Sequence, residues 1–182
     1  LVVGLGTYAL SAALSGDGDG DDGAPDALTV GTDVTLTAYQ DDRGFSVRVP
    51  QGWTKQKGKT YVDFQDPAAA RKVRLLVEPA NSNGVEAHLR AAERRQQAQL
   101  KQGEITAYRT LHLEKTSVTL AGRETWEWEW TYTKDGEERR ILWRTTEKDG
   151  KSYTVFIGAP VDGFDTNRPL FDEITGSFRY GG

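Results

Sequence analysis

Residues 124–157 read ETWEWEWTYTKDGEERRILWRTTEKDGKSYTVFI, and the punctuation of this stretch decides the fold. Lys134-Asp135-Gly136-Glu137 and Lys148-Asp149-Gly150-Lys151 separate three alternating runs, at 124–133, 139–146 and 152–157. An Asp-Gly pair between such runs is the turn whose backbone twist suits a tight hairpin. Consecutive hairpins fold back without crossovers, so they predict an antiparallel meander. Within the first run, Trp126-Glu127-Trp128-Glu129-Trp130 places three Trp on one strand face and two Glu on the other. Arg139, Arg140 and Arg144 on the facing run are in position to pair with Glu127 and Glu129 across the solvent side. The three Trp, with Trp143, Tyr153 and Val155, are expected to fill the space between sheet and helix, each Trp burying about 150–250 Å². The other reading is an open aromatic platform, because an antiparallel sheet can leave one face uncovered.

Upstream, residues 35–39 and 45–49 are short strands about a turn at Asp41-Asp42-Arg43-Gly44. Phe45, Val47 and Val49 share one face, and Pro50-Gln51-Gly52 ends the second strand before Trp53. Residues 60–64 and 72–78 continue the series up to a turn cluster at 79–84. Residues 85–100 form the clearest helix. Its apolar stripe, begun by Val85, Leu89 and Ala92, is thin and surrounded by Arg, Gln and Glu, so it covers one side of the sheet and shows a wide charged face. His88 reads as a helix-surface residue. Residues 108–120 hold two extended stretches or one long bent strand, turned at Ala121-Gly122. Near the end, 169–174 is a short helix with Pro169 in its first turn, and 177–180 adds a last edge strand. The expected class is α+β: an antiparallel sheet of about six or seven strands, ending in a meander and flanked by helices.

The first residues have a different character. Residues 1–14 (LVVGLGTYALSAAL) carry no charge, and 15–27 (SGDGDGDDGAPDA) are dominated by Asp and Gly. A span needs roughly 20 apolar residues; residues 1–14 supply part of that and read as the outer end of a truncated transmembrane helix. Residues 15–34 then form an acidic, self-repelling tether, and 35–182 the extracytoplasmic domain. No Lys or Arg precedes Arg43, which places the tether and domain outside a single-pass cell-membrane protein. Two motif matches here do not survive their context. Gly4-Leu5-Gly6-Thr7-Tyr8-Ala9 fits a dinucleotide loop, but its helix would stop at Ser15-Gly16. Asp17, Asp19 and Asp21 begin a calcium-loop pattern that fails at Asp22 and Leu28.

Charge divides at the same boundary. Of 27 acidic residues, six Asp precede residue 34, leaving 21 acidic against 23 basic from there on. Near neutrality offers no basic footprint for nucleic acid. The absence of Cys excludes a thiolate nucleophile, a disulfide framework and any Cys-based metal site. His88 and His112 are the only imidazoles. No G-x-S-x-G or H-E-x-x-H motif places a nucleophile or a zinc site, and no cofactor is expected. Glu127 and Glu129, roughly 7 Å apart on one strand face, have the spacing of a glycosidase pair, but a solvated sheet face explains them without chemistry.

Tyr39-Gln40-Asp41-Asp42-Arg43-Gly44-Phe45-Ser46-Val47-Arg48-Val49-Pro50-Gln51-Gly52-Trp53 resembles the opening segment of Mog1/PsbP-like domains. The likeness continues through Tyr61 to Phe64, Asp66-Pro67, the 73–77 strand, the 85–100 helix and the long hairpins. It closes on Phe171-Asp172-Glu173-Ile174-Thr175-Gly176-Ser177-Phe178, covering about 37–180. With an apolar segment and a Gly/Asp tether ahead of it, the chain looks most like the extracytoplasmic C-terminal region of actinobacterial membrane serine/threonine kinases. The resemblance implies an antiparallel sheet with flanking helices and non-catalytic roles in binding or assembly. The chain lacks the kinase signatures themselves, so a catalytic part would lie upstream.

The expected function is accordingly a non-catalytic extracytoplasmic sensor or protein-interaction domain of a membrane-anchored protein. The alternative is a small-ligand domain for a sugar, lipid or peptide, with Trp126, Trp128 and Trp130 as the platform. A small hydrolytic enzyme comes third. Trp53 and Phe164 are candidate contacts in the loops at 51–59 and 160–169.

Overall fold

The computed structural model describes residues 28–30, 34–66, 68 and 70–181. The membrane-span reading of residues 1–14, and the tether reading for 15–27, lie outside them. Among the described residues no helix is long and apolar enough to cross a membrane.

The chain begins with β1 (Leu28–Val30), β2 (Val34–Asp41), β3 (Phe45–Pro50), β4 (Thr54–Lys57), β5 (Tyr61–Asp66) and β6 (Arg71–Pro79). Helix α1 (Val85–Lys101) precedes β7 (Thr106–Leu120), β8 (Arg123–Lys134), β9 (Glu137–Lys148) and β10 (Lys151–Pro160). A 3-10 turn at Phe164–Asn167 runs into α2 (Arg168–Ser177) and β11 (Arg179–Tyr180).

The α+β class with flanking helices holds. One sheet is seven-stranded in the order β4-β5-β6-β10-β9-β8-β7, and every neighbouring pair is antiparallel. The meander β7 to β10 lies intact within it. β10 returns to pair with β6, the strand from which the chain left for α1. All three meander turns use two residues with positive φ: Ala121-Gly122, Asp135-Gly136 and Asp149-Gly150. That is the backbone geometry that lets two twisted strands meet without splaying.

A second sheet is an addition to the sequence reading. β1, β2, β3 and β11 form a separate four-stranded layer in that order. Leu28–Val30, inside the stretch 15–34 read as tether, thus pair with Val34–Leu36. β4 lies inside the stretch read as a loop at 51–59; its four residues are all exposed and three are Lys or Gln, so no apolar alternation marks it.

Two apolar cores occupy the two faces of the large sheet. One packs Val62, Val73, Leu75, Leu142, Tyr153, Val155 and Ile157 against Phe45, Val47 and Val49 of the small sheet and Leu170, Phe171 and Ile174 of α2. The other packs Trp128, Trp130, Trp143 and Phe156 against Leu89 and Ala92 of α1. Tyr153 and Val155 therefore lie on the face opposite the Trp cluster, because Phe156, not they, pairs with Trp143 across the β9–β10 ladder. α1 is anchored thinly, its buried side chains being His88, Leu89, Ala92 and Gln96. His88 is thus a buried residue, one position from Leu89 on the inward stripe, rather than a surface one.

Candidate functional site

The candidate platform faces inward. Trp128 is 0 % exposed and Trp130 2 %, with the rings stacked at 3.8 Å. Trp143 meets both edge-on, at 5.2 and 5.3 Å, and itself stacks on Phe156. Trp126 is half-buried at the rim of this cluster. Two of the three proposed platform rings therefore present no surface, because α1 covers the face that their strand alternation creates. The indole N–H groups of Trp130 and Trp143 meet no acceptor among the described residues, and that of Trp128 lies beside the Tyr108 phenol. A polar chain closes the margin. Tyr108 donates to Thr110 Oγ1 at 2.9 Å, and Thr110 donates to Glu93 Oε1 of α1 at 2.7 Å. Burial pushes the Tyr108 phenol up to about 12.

The Glu face of the same strand is buried too. Glu129, 2 % exposed, accepts from Arg140 Nε at 2.6 Å and from Arg168 Nη2 at 2.8 Å. Glu127 accepts from Arg144 Nε at 2.9 Å, and Arg144 Nη1 reaches Asp172 at 2.7 Å and Thr175 at 2.8 Å. His112 sits between the two carboxylates, 2.9 Å from Glu127 and 3.3 Å from Glu129. Arg168 and Arg140 also contact Asp165, whose carboxyl the Arg168 hydrogen bond holds below its ordinary value. The sequence reading of a solvated face is corrected here: α2 lies over these residues. Arg140 and Arg144 pair with Glu127 and Glu129 as their strand positions require. Arg139 instead donates to the carbonyl of Ala70 and contacts Glu137.

The two loop candidates divide. Phe164 is 1 % exposed, packed in the core with the Arg140 guanidinium 4.8 Å over its ring, so it is no surface contact. Trp53 is half-buried, with Arg71 at 5.1 Å over its ring.

None of this assembles a reaction centre. The carboxylates of Glu127 and Glu129 are each held by guanidinium groups, and among the described residues no group of three or more His, Cys, Asp or Glu has the placement to hold a metal ion. What the surface does offer is a cleft of about 370 Å³ between β2–β3 and the end of α2, lined by Tyr39, Ser46, Arg48, Glu173, Ser177 and Arg179 among others. Sequence reasoning missed this cleft, since its residues come from segments about 130 positions apart and share no motif.

The architecture is that of several solved proteins. The solution structure of cyanobacterial PsbP (CyanoP) from Synechocystis sp. PCC 6803 matches with a TM-score of 0.63 at 19 % identity, over 80 % of this chain and 92 % of that one. The Saccharomyces cerevisiae Ran-binding protein Mog1p matches at 0.55 and 8 % identity, over 81 % and 96 %. LpqN of Mycobacterium tuberculosis, described as involved in cell envelope biogenesis, matches at 0.51 and 15 %, over 82 % and 92 %. At these identities the likeness establishes the fold. No curated protein sequence matches the chain. The family model of the serine/threonine kinase C-terminal domain matches residues 37–180, from the middle of β2 to the end of β11, and the chain belongs to that family.

Proposed function

We propose that this domain is a non-catalytic extracytoplasmic sensor or protein-interaction module, carried by a membrane-anchored serine/threonine kinase whose catalytic part lies outside this chain. The observation that carries the reading is the family match over 37–180, a span that contains the seven-stranded sheet, both helices and all of the small sheet but β1 and the start of β2, with no phosphate-binding loop and no catalytic loop. The buried ionic face supports it, because carboxylates held by guanidinium groups serve packing rather than proton transfer. Recognition of another protein is a use this architecture has in Ran-binding Mog1p, and an envelope role is one it has in LpqN; both are analogies of fold. The uncharged segment at 1–14 and the acidic residues after it favour a single-pass anchor with the domain outside. The burial of Trp128 and Trp130 argues against the sheet's aromatic face as the contact surface.

The test uses the parent membrane protein. Deleting residues 34–182 should leave its phosphorylation activity in detergent unchanged while abolishing the response to extracellular conditions in cells. Protease added to intact cells should release the domain. Loss of activity in detergent, or full protection from protease, would overturn the reading.

A further inference from the structure

The half-buried arginines of this domain are nearly all spoken for. Arg43, Arg71, Arg139, Arg140 and Arg168 each donate to a carboxylate or a backbone carbonyl. Arg48 differs: half-buried on β3, it makes no ion pair and no side-chain hydrogen bond among the described residues. It lines the cleft of about 370 Å³, a size that suits a small ligand. Its guanidinium offers five N–H donors in a fixed fork, none of them taken by an acceptor among the described residues.

Its surroundings are fixed in place. The backbone N–H of Arg48 donates to Ser177 Oγ at 2.8 Å, and Ser177 donates to the carbonyl of Ile174 at 2.7 Å. The strand and the last turn of α2 are thereby fastened together across the cleft, so a ligand would meet prearranged walls. Arg179, also lining the cleft, is oriented by bonds from Nη1 to the carbonyls of Gly176 and Phe178, at 2.8 and 2.7 Å, which leave its other N–H groups uncommitted among the described residues. Glu173 lines the same cleft with no partner among the described residues, as does the hydroxyl of Ser46.

We propose that this cleft binds a small zwitterion, an amino acid or the C-terminal unit of a short peptide, with its carboxylate on Arg48 and Arg179 and its ammonium towards Glu173. The guanidinium fork matches a carboxylate with two parallel bonds. A doubly charged phosphate suits the site less, because Glu173 and the carbonyl end of α2 both repel added negative charge. Ala38, which pairs with Arg48 in the β2–β3 ladder, gives the cleft side an apolar methyl for a small side chain, while Val47 and the Tyr39 ring pack into the core behind it. The assignment goes beyond the sensor and interaction reading and does not depend on it.

The experiment is a titration of the 15N-labelled chain with alanyl-alanine, its C-terminal amide, N-acetyl-alanine and inorganic phosphate. Alanyl-alanine should shift the amide signals of Ser46, Arg48, Gly176 and Ser177 saturably, and the amide should bind at least about tenfold more weakly, equivalent to about 1.4 kcal/mol. Arg48→Gln should abolish the shifts while leaving the rest of the spectrum in place. Should that variant fail to fold, Arg179→Gln, at an exposed position, should weaken binding by a similar factor. Glu173→Gln should weaken alanyl-alanine but not N-acetyl-alanine, which lacks the ammonium. Equal binding of the amide, equal shifts with phosphate, or no shifts at tens of millimolar would each overturn the proposal. None of those outcomes would touch the kinase-linked reading, which the deletion and protease experiments decide.

Discussion

Arg168 and Glu129 stand 39 positions apart in the chain, and the guanidinium of one meets the carboxylate of the other at 2.8 and 3.1 Å. This pair fastens the start of α2 to the middle of β8. With Arg140 on the same carboxylate, two cations converge on one buried anion. Such a site contributes geometric uniqueness more than net stability, because taking the charges out of water offsets most of their attraction.

Removing the anion alone is therefore expected to be severe. Glu129→Ala should destabilise the domain by about 3 kcal/mol, the lower end of the range for a broken buried pair, since Arg168 and Arg140 retain some access to water. Asp165→Asn, at an exposed position, should change stability by under about 0.5 kcal/mol. Urea unfolding of the two variants checks the contrast, and similar losses would show that the web carries no special weight.

The Trp cluster should behave as core. Trp128→Ala is expected to cost about 3–5 kcal/mol, with loss of the near-ultraviolet dichroism that a stacked indole pair produces. Trp126→Ala, at the half-buried rim, should cost less than half as much. A folded Trp128→Ala variant with undiminished stability would contradict the packing described above.

Acid should loosen the end of β6 beside α1. The imidazole Nε2 of His88 stands 3.4 Å from Glu78, and this contact holds the Glu78 carboxyl below its ordinary value. A depressed folded value means that the stabilisation is present above the unfolded value of about 4.3 and is lost as pH falls through the folded one. Unfolding free energy measured from pH 6 down to pH 3 should fall, and Glu78→Gln should flatten part of that slope. An unchanged slope in the variant would remove Glu78 from the account.

Two glycines should differ in their tolerance of a methyl group. A Cβ on Gly58 would run into the Tyr61 ring, and one on Gly158 would press on the terminal Cδ1 of Ile141 at 2.6 Å. A ring that also carries the Arg74 guanidinium at 4.2 Å has little freedom to move, whereas an Ile methyl can turn aside. Gly58→Ala should cost about 2–3 kcal/mol and Gly158→Ala about 1 kcal/mol, as read from thermal melts. The reverse order would mean that the Tyr61 ring is the more adaptable of the two neighbours.

The elements that local chemistry specifies were legible in the sequence. Asp135-Gly136 and Asp149-Gly150 announced their hairpins, and Phe45, Val47 and Val49 announced a buried strand face by alternation. The division into two sheets was not legible, because nothing in residues 28–30 or 179–180 states which strand they pair with. The strand Thr54–Lys57 was hidden by its uniformly polar side chains. Alternation correctly put Glu127 and Glu129 on one face, but it cannot tell water from a covering helix, and α2 arrives about 40 positions later. The cleft was hidden for the same reason: Arg48 and Arg179 become neighbours only through the pairing of Ser46 with Arg179.

The order β1-β2-β3-β11 has a mechanical consequence. The first and last strands of the described chain both belong to the four-stranded sheet, at its two opposite edges. A pull on the residues ahead of Leu28 is carried first by three residue pairs, Leu28–Leu36, Thr29–Thr35 and Val30–Val34, and a short hairpin yields pair by pair. The seven-stranded sheet, with its stacked indoles and its ionic web, has no chain end running through it. Tension therefore spends itself on a small clasp at the margin, while the larger body rides behind it unloaded.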